Sequence, residues 1–286
     1  MTATLGPVFN DPTIIIPDDT VPGGDDTNPG GGTNSGNGTN TDSVSGPSGN
    51  EIFGTDEDDT LEGRGSRDVI FGEEGRDSLL GGSGEDSLYG QADNDTLFGE
   101  DDDDQLFGNE DQDSLFGGEG DDTLWGGKNI DDLFGNEGDD LLLGNLGVDF
   151  LMGNEGDDCL FGGKENDFLN GGDGNDSLYG DRDPDLLIGG LGEDIFFIGR
   201  STGGQNINEA DIVADFSLEQ GDQIGLLDDL NFGDLELEDT VVEDFDGVIL
   251  SGTAIRIDDS DDERDYLIIL DGVTPGELSS SDFITI

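Results

Sequence analysis

A nine-residue period runs through the centre of the chain and constrains its fold more than any other feature. From Gly54 to Phe197 the sequence repeats every nine residues without insertion or deletion, which gives sixteen consecutive copies. Clear copies are GGSGEDSLY (81–89), GGEGDDTLW (117–125) and GGDGNDSLY (171–179). An uninterrupted short period is typical of stacked repeats, in which each unit buries its apolar face only against its neighbours.

Four positions of the repeat carry most of the pattern. Position 1 is Gly and position 6 is Asp in every copy, and position 8 is Leu in fourteen copies, with Ile70 and Phe196 in the other two. Position 4 is Gly, Asp or Asn in thirteen copies, and these residue types tolerate positive φ. The first six residues therefore suit a tight turn, and the last three are predicted to form a very short strand.

If the turn in each repeat reverses the chain direction, two repeats should complete one coil of 18 residues. Successive coils would stack at the strand spacing of roughly 4.8 Å. This arrangement places Leu on Leu in the centre and Asp on Asp along each edge. The sequence therefore predicts an all-β solenoid with two sheets and two rows of acidic side chains.

The charge of the chain makes these rows unfavourable without cations. The sequence holds 72 acidic and 9 basic residues, for a formal net charge of -63. Like charges about 5 Å apart repel by roughly 1 kcal/mol even in water. Nucleic acid and anionic membranes are poor partners for such a chain, and metal ions are good ones.

Calcium is the metal that this residue inventory favours. It accepts six to eight hard oxygen ligands in a flexible cage, which carboxylates and turn carbonyls can supply, whereas magnesium demands a tighter octahedron. Zinc and copper lack their usual ligands, because the chain has no His and a single Cys, Cys159. One ion between each pair of stacked turns would give about fourteen ions.

The residue composition also argues against several classes of function. The absence of His removes the commonest general base, the HExxH zinc site and the Ser-His-Asp triad, so we expect no enzyme. Cys159 cannot form an intrachain disulfide and is expected to be structural. No Sec-type signal peptide and no transmembrane segment is visible, so secretion would need another route.

The copies resemble the hemolysin-type nonapeptide GGxGxDxUx of RTX (repeats-in-toxin) proteins, a repeat known to bind calcium. The resemblance implies a parallel β-roll, a right-handed solenoid with 18 residues per coil, whose turns bind calcium. It also implies that the sixth-position aspartates are the metal ligands. These are Asp59, Asp68, Asp77, Asp86, Asp95, Asp104, Asp113, Asp122, Asp131, Asp140, Asp149, Asp158, Asp167, Asp176, Asp185 and Asp194.

The terminal copies match the pattern least well. The first two copies are GTDEDDTLE and GRGSRDVIF, and the fifteenth contains Pro184 in its turn. End repeats also lack a neighbour on one side. We therefore expect lower occupancy there, with incomplete cages around Asp59, Asp68, Asp185 and Asp194.

Three regions are predicted along the chain. Residues 1–50 form a disordered leader rich in Gly, Asn, Thr and Pro, and residues 51–198 form the calcium-binding roll. Residues 199–286 form a small β-rich C-terminal domain that caps the roll. Its predicted strands lie in the runs ADIVADF (210–216), DQIGL (222–226), GVIL (247–250), AIRI (254–257), DYLIIL (265–270) and DFITI (282–286).

The C-terminal region carries a second resemblance. The segment ADIVADFSLEQGDQIGL resembles the one that follows β-rolls in serralysin-type proteins, and the DFITI end resembles type I secretion substrates. This resemblance implies a type I secretion exporter as a partner and an extracellular location, while the alternative is a simple cap. Asp211, Asp215 and Asp222 are candidates for one further ion, the alternative being ordinary solvated turn residues.

Position 9 supplies a further candidate surface. On one predicted sheet it reads Phe71, Tyr89, Phe107, Trp125, Leu143, Phe161, Tyr179 and Phe197. These side chains either form an exposed surface for carbohydrate or protein, or stack along the sheet and shield it. The first function class is thus a calcium-dependent structural or cell-surface protein, and the second is an adhesin that binds cell-surface glycans or proteins.

Overall fold

The computed structural model describes residues 49, 51–199, 210–243, 249–257 and 266–285. The leader predicted for residues 1–50 lies outside this part of the chain, apart from Gly49. Within the described residues, no helix is both long and apolar enough to cross a bilayer. A single 3₁₀ turn at Phe232–Asp234 is the helical element in these ranges.

The described residues form twenty-three strands, most of them six residues long. They are β1 (Glu51–Phe53), β2 (Thr60–Gly65), β3 (Val69–Glu74), β4 (Ser78–Ser83), β5 (Ser87–Ala92), β6 (Thr96–Asp101), β7 (Gln105–Asn109), β8 (Ser114–Glu119), β9 (Thr123–Lys128), β10 (Asp132–Glu137), β11 (Leu141–Leu146), β12 (Phe150–Glu155), β13 (Cys159–Lys164), β14 (Phe168–Asp173), β15 (Ser177–Asp181), β16 (Leu186–Leu191), β17 (Ile195–Ile198), β18 (Asp211–Val213), β19 (Gln223–Leu226), β20 (Leu235–Glu243), β21 (Ile249–Ile257), β22 (Tyr266–Asp271) and β23 (Phe283–Thr285).

The strands alternate between two sheets. One sheet contains the odd-numbered strands from β1 to β19, followed by β23. The other contains the even-numbered strands from β2 to β18, followed by β22, β21 and β20. Neighbours in the repeat region are parallel and shifted by two repeats, as in the pairing of Leu133 with Leu151. The predicted all-β fold, a parallel β-solenoid with 18 residues per coil, is confirmed.

The strands are twice as long as the sequence predicted. Most strands of the repeats run from position 7 of one repeat to position 3 of the next, as in β9, where three residues were expected, while β7 and β15 end one residue earlier. The extra residues also pair with their equivalents one coil away, for example Asn136 with Asn154. The turn that remains between most consecutive strands of the repeats is only three residues long.

Two positions of each repeat take the left-handed region of backbone conformation. From Ser66 onward every fourth-position residue has a positive φ, including Ser66 at 80° and Glu165 at 71°. From Arg64 onward every second-position residue does so as well, for example Asn136 at 82°. The sequence indicated the first requirement and missed the second, because position 2 also holds Arg, Glu and Gln, for which positive φ is uncommon.

A single column of apolar side chains fills the space between the sheets. The position-8 residues from Leu61 to Phe196 have no solvent exposure. The column begins before the first repeat with Ile52 and continues after the last one with Val213 and Ile224. Each coil thus adds two buried apolar residues, and the stability of a coil depends on its neighbours.

The C-terminal strands extend both sheets of the roll. Strand β18 pairs with β16, and β19 pairs with β17, both in the parallel sense. Strands β22 and β23 then add to β18 and β19. The hairpin of β20 and β21 completes one sheet with antiparallel pairing.

The predicted C-terminal strands agree with this description in outline. The described part of GVIL, Ile249 and Leu250, belongs with AIRI to one strand, β21, instead of two. Strand β20 was missed, because its sequence LELEDTVVE carries four acidic residues and reads as a turn. An outer strand of an antiparallel pair has one solvated face, and that face accommodates such residues.

Candidate metal sites

The sixteen sixth-position aspartates form two rows along the edges of the roll. Each one lies directly before a strand, at the point where the turn ends. The odd-numbered repeats supply one row, which includes Asp113 and Asp131, and the even-numbered repeats supply the other, which includes Asp122 and Asp140. All sixteen are buried, with exposed fractions between 0% and 7%.

From Asp77 to Asp194, one oxygen of each carboxylate is held by the backbone of the coil before it. The Asp113 N–H donates to Asp131 Oδ1 at 2.9 Å, and the Asp131 N–H donates to Asp149 Oδ1 at 2.9 Å. The same contact recurs for every acceptor from Asp77 to Asp194, at 2.6 to 2.9 Å. These bonds fix the orientation of the carboxylates and aim the second oxygen inward.

That second oxygen has no protein partner. Within the described residues, Oδ2 is buried and accepts no hydrogen bond in the fourteen aspartates from Asp77 to Asp194. A buried carboxylate oxygen left in this state is costly unless a cation or a proton meets it. The same orphan atom recurs along both edges, which indicates a repeated ligand.

The glycine at position 1 leaves room beside that oxygen. A Cβ on Gly126 would lie 2.7 Å from Asp131 Oδ2 and 3.0 Å from the carbonyl oxygen of Gly144. Comparable contacts with the aspartate of the same repeat, at 2.0 to 2.7 Å, hold from Gly72 to Gly189. A free carboxylate oxygen and a carbonyl oxygen of the next coil therefore face the same space, which exists because glycine has no side chain.

These atoms suit calcium. Both are hard oxygen donors, and calcium takes carboxylates and backbone carbonyls together. In the described ranges no three acidic, Cys or His side chains converge on one point. A cation here would therefore take one or two carboxylates and complete its shell with carbonyls or water.

Without a cation, burial raises the pKa of these carboxyl groups. It raises the pKa of Asp77 to about 6, that of Asp131 to about 8 and that of Asp167 to about 9, from 3.8. The hydrogen bond from the preceding coil opposes the rise, and neighbouring carboxylates in the row add to it. At neutral pH a folded, metal-free row would therefore keep many of these carboxyl groups protonated, whereas the unfolded chain would have them ionised.

The first aspartate of one row differs from the rest. Asp59 Oδ2 accepts hydrogen bonds from Thr55, from the backbone N–H at 2.7 Å and from the hydroxyl at 2.8 Å. Its second oxygen is thus satisfied by its own turn. Thr stands at position 2 in the first repeat alone, and no other copy shows this sequence signal.

The position-9 aromatic residues stack on one another. Phe107 and Trp125 are parallel with ring centroids 4.3 Å apart, and Tyr179 and Phe197 are 4.0 Å apart. Phe107, Leu143 and Phe197 are buried, and the other members of this ladder are half-buried. Because neighbouring rings cover the ring faces, the geometry favours the packing interpretation over a carbohydrate-binding surface.

The opposite sheet carries a shorter ladder that the sequence analysis did not single out. Phe98, Phe116 and Phe134 stack with centroids 5.0 and 4.9 Å apart. They were missed because only the longer ladder was followed at position 9. The sequence signal was available as position-9 Phe residues 18 positions apart, offset by nine from the longer ladder.

Cys159 lies at position 7 in β13, between Leu141 and Ser177 on the neighbouring strands. Burial raises the pKa of its thiol to about 12, and the nearby Asp158 carboxylate adds to the shift. A thiol held in its neutral form is a poor nucleophile and a poor metal ligand. This agrees with a structural role.

A two-sheet solenoid that repeats a buried carboxylate at position 6 and a glycine at position 1 defines the class of calcium-binding β-roll proteins. The chain matches the family described as RTX calcium-binding nonapeptide repeat (4 copies) in nine overlapping segments, which together span residues 45–200. The match covers more than half of the chain, and the protein belongs to this family. RTX repeats bind several calcium ions, so calcium is the ligand of the roll. A search of the curated proteins gave no significant match.

Proposed function

We propose that this protein is a secreted, non-enzymatic scaffold whose roll folds when its sixth-position aspartates bind extracellular calcium. The observation that carries the proposal is the orphan Oδ2 atom repeated from Asp77 to Asp194. A row of buried anions opposes folding until cations neutralise it, so metal binding and folding are one equilibrium. The rod-like roll is the functional element, and it presents no histidine for acid–base chemistry.

The proposed ligands are the sixteen sixth-position aspartates, assisted by turn carbonyls. Those in the interior of the rows have neighbours on both sides and should bind most tightly. Asp59 should contribute least, because Thr55 already occupies its second oxygen. Extracellular calcium modules bind with dissociation constants of roughly 0.1 to 1 mM, which would leave the roll metal-free in a cytosol.

Two adjacent aspartates provide a matched test of the ligand assignment. Asp131 is fully buried in its row, whereas Asp132 begins strand β10 and is exposed. Asp131→Asn should bind one or two fewer ions and shift the calcium midpoint of folding upward by roughly tenfold, since ligand charge sets affinity. Asp132→Asn removes the same charge and should leave both quantities almost unchanged.

Calorimetry and far-UV circular dichroism on the full chain would measure the ion count and the midpoint. Equal shifts in the two variants would mean that calcium responds to overall charge and is not held by the buried row. No calcium binding by the unaltered chain would remove the whole proposal.

The secretion part of the proposal rests on the C-terminal resemblance. A chain that stays unfolded at low calcium can pass an exporter and fold outside, which suits an uncleaved C-terminal signal within residues 199–286.

In a host with a type I exporter, deletion of residues 199–286 should abolish secretion, as measured by immunoblot of the medium. Full-length Asp131→Asn is the control and should be secreted normally, because export precedes folding. Continued secretion of the deletion variant would contradict the proposal.

A further inference from the structure

One row of aspartates continues past the last repeat. Strand β18 pairs with β16 in the register that aligns Ile212 with Leu186 and Val213 with Leu187. Asp211 therefore occupies the place that position 6 would have in a further coil. It follows Asp185 by 26 residues, where the repeats use 18, so the nine-residue period could not reveal the equivalence.

Asp211 reproduces the hydrogen bonding of the repeat aspartates. The Asp185 N–H donates to Asp211 Oδ1 at 3.1 Å. Asp211 is 0% exposed, and its Oδ2 accepts no hydrogen bond from any described residue. The backbone supports this position too, since the Ile212 N–H donates to the Asp185 carbonyl at 2.8 Å.

The free oxygens of Asp185 and Asp211 face one space. A Cβ on Gly180 would lie 2.5 Å from Asp185 Oδ2 and 3.0 Å from Asp211 Oδ2. At the preceding glycine of this row, Gly162, the corresponding neighbours are the Asp167 carboxylate and the Gly180 carbonyl. A carboxyl oxygen thus replaces a carbonyl oxygen at the end of the row, and two buried carboxyl oxygens face one space without a hydrogen-bond donor from the described residues.

The other row ends differently. Asp222 is aligned with Asp194, and the Asp194 N–H donates to Asp222 Oδ1 at 3.2 Å. Its Oδ2 accepts the Ser217 N–H at 2.7 Å, so neither oxygen is free. Asp215 is also satisfied, because its two oxygens accept the N–H groups of Gly189 and Gly190. The three C-terminal aspartates therefore do not form one joint site.

We propose that Asp185 and Asp211 hold a calcium ion outside the nonapeptide repeats, and that this ion fastens the C-terminal strands to the roll. The inference rests on the proposed function, in which the repeat aspartates bind calcium. Two carboxylates facing each other in a buried site strongly favour a divalent cation. Because β22 pairs with β18, the ion would couple strands β18, β22, β21 and β20 to the calcium state of the last coil.

Native mass spectrometry of the full calcium-loaded chain would count the ions directly. Asp211→Asn should carry one ion fewer than the unaltered chain, because its amide would direct N–H donors at the site. Asp222→Asn is the matched control, since it makes the same substitution at the equivalent ladder position of the other edge, where neither carboxylate oxygen is free, and it should keep the full count. An unchanged count in Asp211→Asn, or an equal loss in Asp222→Asn, would overturn the proposal.

A second measurement does not depend on the folding of a variant. Crystals of the unaltered chain grown with calcium should show an anomalous difference peak between Asp185 Oδ2 and Asp211 Oδ2. Peaks along the repeats without one at this position would overturn the inference and leave the proposed function intact, with a shared proton as the occupant of the pair. Absence of calcium from the repeats as well would overturn both.

Discussion

Removal of calcium is expected to unfold the roll almost completely. With excess chelator at neutral pH, the full chain should lose most of its β signal in far-UV circular dichroism, and calcium in the range of roughly 0.1 to 1 mM should restore it cooperatively. The reason is that each coil places carboxylates within about 5 Å of their equivalents, in a setting with few solvent contacts. The apolar column contributes only two fully buried position-8 residues per coil, which is little to set against that repulsion.

Two controls separate ligation from simple charge screening. Magnesium at about 10 mM should fail to restore the β signal, because its octahedral shell dehydrates reluctantly. Sodium chloride at about 1 M shortens the screening length to about 3 Å and weakens surface repulsion, but it supplies no ligand-bound ion to the buried oxygens. Refolding in either condition to the level reached in calcium would contradict the site assignment.

Protonation of the buried carboxylates at low pH is expected to stabilise the roll partly in the absence of calcium. The folded metal-free roll has carboxyl groups with a raised pKa, about 6 for Asp77 and Asp194, about 8 for Asp131 and about 9 for Asp167, against 3.8 in the unfolded chain. The folded state therefore binds more protons than the unfolded state between these values. The stability that protonation provides is fully present below about pH 3.8 and is lost as the pH rises through the range of about 6 to 9.

The metal-free chain should accordingly gain β structure on acidification to about pH 3 and lose it toward pH 7, as followed by circular dichroism in dilute solution. Asp131→Asn removes one titrating buried group, so its pH dependence should be shallower, while Asp132→Asn should match the unaltered chain. A metal-free chain that stays disordered at every pH would show that repulsion within the rows is not what prevents folding. With calcium present, the midpoint should rise as the pH falls, because protons compete for the same oxygens.

Much of the fold was accessible from the sequence because the repeat is redundant. The invariant Gly, Asp and apolar positions specify which residues form turns, which lie at the edge and which fill the centre, and all sixteen copies carry this same pattern. The rows of Asp113 and Asp131, and the column of Leu133, follow from that periodicity alone. The length of the strands does not follow from the periodicity, because positions 1 to 3 become part of a strand only by pairing with the next coil.

The sequence by itself thus determined the period, the two-sheet solenoid, the carboxylate rows and the class of ion that they require. The tertiary structure decided which oxygens have a hydrogen-bond donor. In the repeats one carboxylate oxygen accepts a bond from the preceding coil and the other is free, whereas Asp59 Oδ2 is satisfied by Thr55. Asp211 Oδ2 has no donor, whereas Asp222 Oδ2 accepts the Ser217 N–H. The contacts between coils join residues 18, 26 or 28 positions apart through strand pairing, whereas Thr55 and Ser217 reach Asp59 and Asp222 from four and five residues away. Side-chain identity specifies which atoms can bind a cation, but the register between coils, together with the local turn contacts, specifies which of them are left without a donor.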